Sequence, residues 1–361
     1  MRWLTLPAGV LVLIFTLLDV FRTLVMPRAA RGRYRLSRLV FIGLWRPWRW
    51  IALRARTEQG RERLLAGASP MSLFLLLSVW AALCLLGYGL LLWSPAFVHG
   101  IHGASSGGFG TALYFSGTSL FTIGFGDVVA TGATRTVVIL EGATGLGLIA
   151  VVISYLPVLY QAFNRREVGV LLLDARAGAP PSGPELLRRA GGQGVRHSLP
   201  RLFREWERWA ADILETHLTY PFLAFFRSPH DNTSWVTSLG AVLDAATLVL
   251  SCVDDEGACA DAARMLYATG THAVEDLFFY FRLPEREGSI ERAEFDHVFA
   301  DLGAVGIPLR GIDESWKVFS EMRAAYGARL NALALRIAAP PAQWLGDRST
   351  LPRPAGGRTF D

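Results

Sequence analysis

Thr122-Ile123-Gly124-Phe125-Gly126-Asp127 is the stretch on which the reading of this chain turns. Gly124 and Gly126 alternate with Ile123 and Phe125, and glycine admits left-handed backbone angles, so successive carbonyl oxygens can turn toward one axis. Just upstream, residues 111–121 form an apolar run too short to cross a bilayer but long enough for a helix that enters and returns. Spanning-length apolar runs enclose both, at residues 71–93 and 134–160. Irregular backbone at membrane depth is tolerated only where it is buried in protein or lines a watery cavity, and this order of elements meets that condition.

The composition agrees. Of 361 residues, 52% are hydrophobic and the mean hydropathy is +0.32, which argues against a purely soluble chain. A first apolar run covers residues 4–26 and is interrupted by Asp19 and Arg22, one helical turn apart and expected to pair or to reach neighbouring helices. The second run follows Ser69-Pro70, which has the form of a helix start, and the third carries Pro157 near its end. At a 1.5 Å rise per residue the second is about 34 Å long and the third about 40 Å, so the third is expected to tilt or to protrude.

Charge gives an orientation. Residues 28–63 hold eleven arginines against Glu58 and Glu62, whereas residues 94–133 contain no Lys or Arg. The positive-inside rule then places the arginine-rich segment in the cytoplasm, the loop at 94–133 outside, the N-terminus outside and the long C-terminal part inside, as in a multi-pass protein of a bacterial plasma membrane. A secretory signal at residues 1–26 is disfavoured, because the arginines follow the apolar run and a small-residue cleavage site is missing. Residues 163–361 carry 22 basic and 26 acidic groups, net −4, and residues 1–162 carry 14 and 5, net +9. The basic excess therefore belongs to the membrane part and points to anionic lipid headgroups as its partner, not to nucleic acid. Residues 34–56 interleave arginines with Trp45, Trp48 and Trp50, which suits a helix lying in the interface, with Pro47 expected to break or kink it. The three cysteines imply neither a disulfide framework nor a zinc site.

Residues 112–127, Ala-Leu-Tyr-Phe-Ser-Gly-Thr-Ser-Leu-Phe-Thr-Ile-Gly-Phe-Gly-Asp, followed by a glycine-bearing apolar run, resemble the pore loop of bacterial potassium channels with one pore loop per subunit. The resemblance covers roughly residues 70–162. It implies an all-α membrane protein in which outer helix, pore helix, filter and inner helix assemble as a homotetramer. The carbonyls of Thr122, Ile123, Gly124 and Phe125, with the Thr122 hydroxyl at the inner end, would replace the hydration shell of K⁺, the permeant ion, with no cofactor. Relative to the common Thr-Val-Gly-Tyr-Gly-Asp filter, Ile123 keeps a β-branched side chain, while Phe125 lacks a hydroxyl that could bond to the pore helix.

The same resemblance gives supporting roles. Gly126 shares the filter's backbone requirement, Asp127 braces the loop from behind, and Tyr114 and Phe115 fall where the family places an aromatic cuff. Thr118 stands where some relatives carry a bracing acid. Glu141, an acid inside a span, either braces the pore helix or filter or faces the cavity as a cation attractor. Gly145 stands at the position of the hinge glycine; close helix approach and bending are both open for Gly142, Gly145 and Gly147. Pro157 is a second gating candidate, with a constriction at residues 153–156. A dedicated voltage sensor is not expected, since no span carries a regular arginine array.

The chain thus divides into an N-terminal membrane helix (1–27), an arginine-rich cytoplasmic or interfacial segment (28–69), a pore domain (70–162) and an α-helical cytosolic domain (163–361). In the last, residues 200–217, 235–253, 258–281, 289–302 and 313–337 have helical periodicity, with breaks at 177–184 and 339–358. A Gly-x-Gly-x-x-G strand-turn-helix is missing, which argues against a dinucleotide-binding regulatory domain. The polar and aromatic group Trp206, Trp209, His217, Tyr220, Arg227, His230, Asp231 and Trp235 is either a site for a cytosolic ligand or core packing. Asp254-Asp255-Glu256 lacks calcium-loop spacing. An enzyme is not expected; the expected function is passive K⁺ conduction, with a weakly selective cation channel or a membrane sensor or scaffold with a vestigial pore as rivals.

Overall fold

The computed structural model describes residues 2–24, 36–103, 108–229, 233–254, 257–285, 290–340 and 342–345. It is predominantly α-helical and divides into two compact units, residues 1–161 and 162–361.

The first unit is built on α1 (Thr5–Leu24), α2 (Leu36–Ala52) and α3 (Glu58–Trp93), with α1 and α2 both packed on α3. A Cβ added to Gly9 would lie 2.6 Å from the Gly87 carbonyl oxygen, and one added to Gly87 would lie 2.7 Å from Leu13 Cγ. The two helices therefore meet through glycines, the contact that membrane helices use when apolar burial offers no advantage over lipid. Asp19 is buried and accepts from Trp80 Nε1 at 2.9 Å and from the Leu36 amide at 3.1 Å. That acid inside a span is thereby tied to α3, the neighbouring helix.

Ser69-Pro70 does not start a helix. α3 begins eleven residues earlier than Ser69, at Glu58, where the Thr57 hydroxyl accepts from the Gly60 amide at 3.1 Å, and Pro70 lies inside it. The added turns are held by packing on α2: Leu65 and Ala68 are buried, and Trp48 Nε1 donates to the Leu64 carbonyl at 2.6 Å. Tertiary contact outweighs the backbone bond that the proline removes. Pro47 likewise lies inside α2 and does not end it.

After α3 the chain forms β1 (Ile101–Gly103), α4 (Phe109–Leu120), β2 (Val128–Ala130) and α5 (Thr134–Ala177). With twelve residues α4 is about 18 Å long and cannot cross a bilayer, whereas α5 with 44 residues is about 66 Å long. β1 pairs antiparallel with β2, Ile101 opposite Ala130 and Gly103 opposite Val128.

The second unit holds the end of α5 and helices α6 (Gly183–His197), α7 (Leu199–Thr219), α8 (Trp235–Cys252), α9 (Ala258–Phe281), α10 (Arg292–Ala304), α11 (Ile312–Ala324) and α12 (Gly327–Ile337). α8 is long and apolar enough to cross a membrane, as are Arg2–Leu24, Gln59–Trp93 and α5. But 94% of the apolar window of α8 is buried within the chain against 11% of that of α5, so α8 is a core helix wrapped by α6, α9 and α11. One expected helix is two here, and one helix was not expected. α6 has no counterpart among the expected helices, and residues 313–337, expected as one helix, form two, because Tyr326 leaves helical geometry to bury its ring and donate to Asp244 Oδ1 at 2.7 Å.

Candidate functional site

The backbone between α4 and β2 alternates in hand. Thr122, Gly124 and Gly126 have φ of +57°, +57° and +82°, while Ile123 and Phe125 lie outside the left-handed region. Alternation of this kind turns consecutive carbonyls to the same side, as the glycine spacing predicts. Thr122 is the costly member, a β-branched residue in a region that disfavours a Cβ by roughly 1–2 kcal/mol. Its amide donates to the Ser119 carbonyl at 3.1 Å. The amides of Ile123 and Gly124 both donate to the Thr118 carbonyl, at 2.8 and 3.2 Å. The end of α4 thus consumes the amides of residues 122–124 and leaves their carbonyls for another partner.

Thr118 acts through its carbonyl; its hydroxyl turns back to the Phe115 carbonyl at 3.0 Å. The side-chain chemistry that distinguishes Thr118 from an acid is therefore not what holds the loop. Tyr114 donates to Asp127 Oδ2 at 2.9 Å, joining the first half of α4 to the end of the loop. Phe115 is buried with Leu92, Ile101, Ala112 and Val128, so the two aromatic neighbours on α4 have different tasks. Phe125 is 68% exposed in the single chain, as are large parts of Phe121 and Ile123.

Glu141, on α5, is fully buried, and the Ser116 hydroxyl of α4 donates to its Oε1. Ser116 Oγ also lies 3.0 Å from the Leu85 carbonyl on α3, so one hydroxyl links three helices. Tyr88, on α3, reaches Thr144 Oγ1 at 2.8 Å and the Leu140 carbonyl at 3.3 Å. Neither Ser116 nor Tyr88 was singled out from sequence, because a lone hydroxyl in an apolar run carries no local signal of its partner.

A Cβ on Gly145 would run into the Leu120 carbonyl oxygen, and one on Gly142 would lie 3.7 Å from the Ser119 carbonyl, whereas Gly147 faces open space. Close approach of α5 to the end of α4 is thus sufficient reason for glycine at 145. Pro157 lies inside α5. Beside the loop, Gly100 and Gly103 let the β1 segment approach Thr134 and the Asp127 carbonyl, and the Thr131 amide donates to the Gly100 carbonyl at 2.8 Å.

The polar and aromatic group in the second unit is core. Trp206, Trp209, His217 and Trp235 are buried, with Trp206 edge-on to Trp209 at 4.5 Å and His217 4.7 Å from Trp235 between ring centres. The residue that organises them, Arg166, carries no local signal of that role in the sequence. It is buried, bonds Glu167 at 2.7 Å, donates to the carbonyls of Leu223 and Phe226 at 2.7 and 2.8 Å, and approaches His217 Nε2 at 3.3 Å. Arg227 donates to the Ala338 carbonyl at 2.5 Å, and Tyr220 caps α7. His230, Asp231, Asp255 and Glu256 lie outside the described residues.

Two long apolar helices, a half-helix and a carbonyl-bearing loop make up this region, and residues 75–161 match the family described as "Ion channel", of the type with two membrane helices per pore loop. That part of the chain is similar to ion-channel pores, and it lies in a chain with four helices among the described residues that are long and apolar enough to cross a membrane. The chain is also 26% identical over 247 residues, 67% of its own length and 68% of the relative's, to a protein described as "Uncharacterized membrane protein YdjJ" from Bacillus subtilis (strain 168). No solved structure matches it.

Proposed function

We propose that this protein is a passive K⁺-selective channel of a bacterial plasma membrane, a homotetramer whose four loops at Thr122, Ile123, Gly124 and Phe125 surround one axis. The observation that carries the reading is the alternating hand of residues 122–126 at the end of α4. It aligns the carbonyls of one loop, and a cation stripped of water needs several such rings around it. One loop cannot enclose an axis, and α5 leaves Ile139, Leu146, Ile149 and Ile153 exposed in the single chain, a face for neighbouring copies and lipid. The C-terminal, negative end of α4 favours a cation below the filter. Asp127, Tyr114, Phe115, Thr118, Gly126 and Glu141 hold the loop, while Gly145 and Pro157 lie on the helix that would move in gating.

The eleven arginines of residues 28–63 support a cytoplasmic place for that segment against anionic headgroups, with the N-terminus outside and the C-terminal unit cytoplasmic. Phe125 favours a second reading, a cation channel of weaker selectivity, because its ring offers no hydroxyl to fix the filter's width. The reversal potential of the full-length protein in planar bilayers, with K⁺ on one side and Na⁺ on the other, separates them. A potential near the K⁺ equilibrium value supports selectivity; one near zero with robust current supports the weaker filter; absence of current from an assembled tetramer contradicts both.

A further inference from the structure

The second unit contains a cavity of about 570 Å³ between the last turn of α5, α6 and the start of α7. Its wall carries three guanidinium groups, Arg176, Arg189 and Arg201, against one carboxylate, Glu205. Two of the three are engaged in part. Arg189 bonds Glu185 at 2.6 Å and the Ala175 carbonyl at 3.0 Å, and Glu185 is shared with Arg188 at 2.7 Å. Arg201 pairs with Glu205 at 2.9 Å while its side chain stays 83% exposed. Arg176 makes no hydrogen bond or ion pair among the described residues. Around the concavity the guanidinium groups of Arg176, Arg188, Arg189 and Arg201 outnumber the carboxylates of Glu185 and Glu205, so an excess of positive charge remains that a further anion would offset.

We infer that this cavity is a binding site for a phosphate-bearing anion, held by Arg176, Arg189 and Arg201. A guanidinium presents a planar pair of donors that matches phosphate oxygens, and partly exposed arginines keep donors free for it. The cavity lies within the size range of small-molecule sites, larger than a lone phosphate requires. Leu199 and Leu202 lie buried beneath the wall, and its exposed apolar surface is that of Ala175 and Ala190, so recognition falls on the phosphate groups. A lipid headgroup has the same chemistry, but Arg176 stands in the last turn of α5, sixteen residues past the apolar run that ends at Tyr160, so a water-soluble source is favoured. Arg176 belongs to the helix that lines the pore in the reading above, and on that reading the anion is a cytosolic regulator of conduction.

Binding is measured directly, so that it stands or falls separately from conduction. Full-length protein in detergent is titrated calorimetrically with inorganic pyrophosphate, with ATP and with dioctanoyl phosphatidylglycerol, using dioctanoyl phosphatidylcholine as the neutral control. The variants are Arg176→Gln, Arg201→Gln and both together, with Arg264→Gln on the exposed face of α9 as the remote loss of one charge. The expected result is saturable binding of ATP or pyrophosphate, weakened about ten-fold or more in the double variant and less than about two-fold in Arg264→Gln, since only the former removes direct phosphate contacts. Binding confined to phosphatidylglycerol, with the same dependence on Arg176 and Arg201, supports the anion site and assigns its source to lipid. Equal binding by the double variant, or no binding of any anionic probe at millimolar concentration by folded protein, overturns the site.

Discussion

The Ile123 amide donates to the Thr118 carbonyl at 2.8 Å, so the last turn of the short helix α4 and the loop that follows it are one hydrogen-bonded object. A helix normally spends its final carbonyls on water or a cap. Here the Thr118 carbonyl takes two amides from the loop, Ile123 and Gly124. The loop's own carbonyls are left over, and the left-handed angles at Thr122, Gly124 and Gly126 aim them together.

The first prediction concerns Gly126, whose φ is +82° with open space where a Cβ would stand. The constraint is therefore conformational and not steric. Gly126→Ala strains the backbone by roughly 1–2 kcal/mol and is expected to abolish K⁺ flux into liposomes while the oligomer still elutes at its normal position. Undiminished, K⁺-selective flux in this variant speaks against the filter assignment.

Gly145 and Gly147 form a natural pair, because a Cβ meets the Leu120 carbonyl at the first and nothing at the second. Gly145→Ala must separate α5 from α4 and is expected to lower stability by roughly 1–3 kcal/mol, the usual cost of overpacking. Gly147→Ala is expected to be neutral or stabilising by up to about 1 kcal/mol, since alanine favours helix. Thermal unfolding followed by size exclusion checks both. Normal stability of Gly145→Ala with altered open probability alone would restore bending as the reason for this glycine.

Much of this was legible in the sequence, and the failures have a pattern. Apolar runs and glycine spacing are local signals, so the loop at 122–127, α4 and α9, whose ends at Ala258 and Phe281 coincide with the expected ones, could be placed. What failed depended on distant partners. Ser69-Pro70 has the chemistry of a helix start, yet packing of α3 on α2 carries the helix back to the Thr57 cap. Residues 183–197 hide behind Gly191, Gly192 and Gly194; Gly191 sits at φ +62°, a kink between two helical pieces. Arg166 reads as an ordinary charge beside Glu167 until the Leu223 and Phe226 carbonyls, nearly sixty residues on, close around it.

Glu141 gives a third test through its bond from Ser116. Glu141→Gln keeps an acceptor of the same size and is expected to conduct, whereas Glu141→Ala removes the link between α4 and α5 and costs roughly 1–3 kcal/mol for the polar group left behind. The readout is detergent stability together with flux. Equal loss in both variants would mean that the carboxylate itself, and not its bond from Ser116, is what matters.

His217 provides a pH test in the second unit. Burial, then the neighbouring Arg166 guanidinium, hold its imidazole well below the usual pKa of 6.5, opposed by the bond to the Ile213 carbonyl. The unfolded chain binds this proton more readily than the folded one, so the contribution to stability is full above about pH 6.5 and declines as pH falls below it. The melting temperature is expected to fall from pH 7 to pH 5, with a shallower slope in His217→Gln; identical slopes would remove His217 as the cause.

The central claim is that carbonyls of residues 122–125 from four chains strip and hold K⁺. Anomalous scattering from crystals grown with Tl⁺ in place of K⁺ tests this most directly. A column of peaks is expected on a fourfold axis between carbonyl rings of Thr122, Ile123, Gly124 and Phe125, fading when Na⁺ replaces Tl⁺. A tetramer with no Tl⁺ on the axis, or an assembly in which these loops do not face one another, would contradict it.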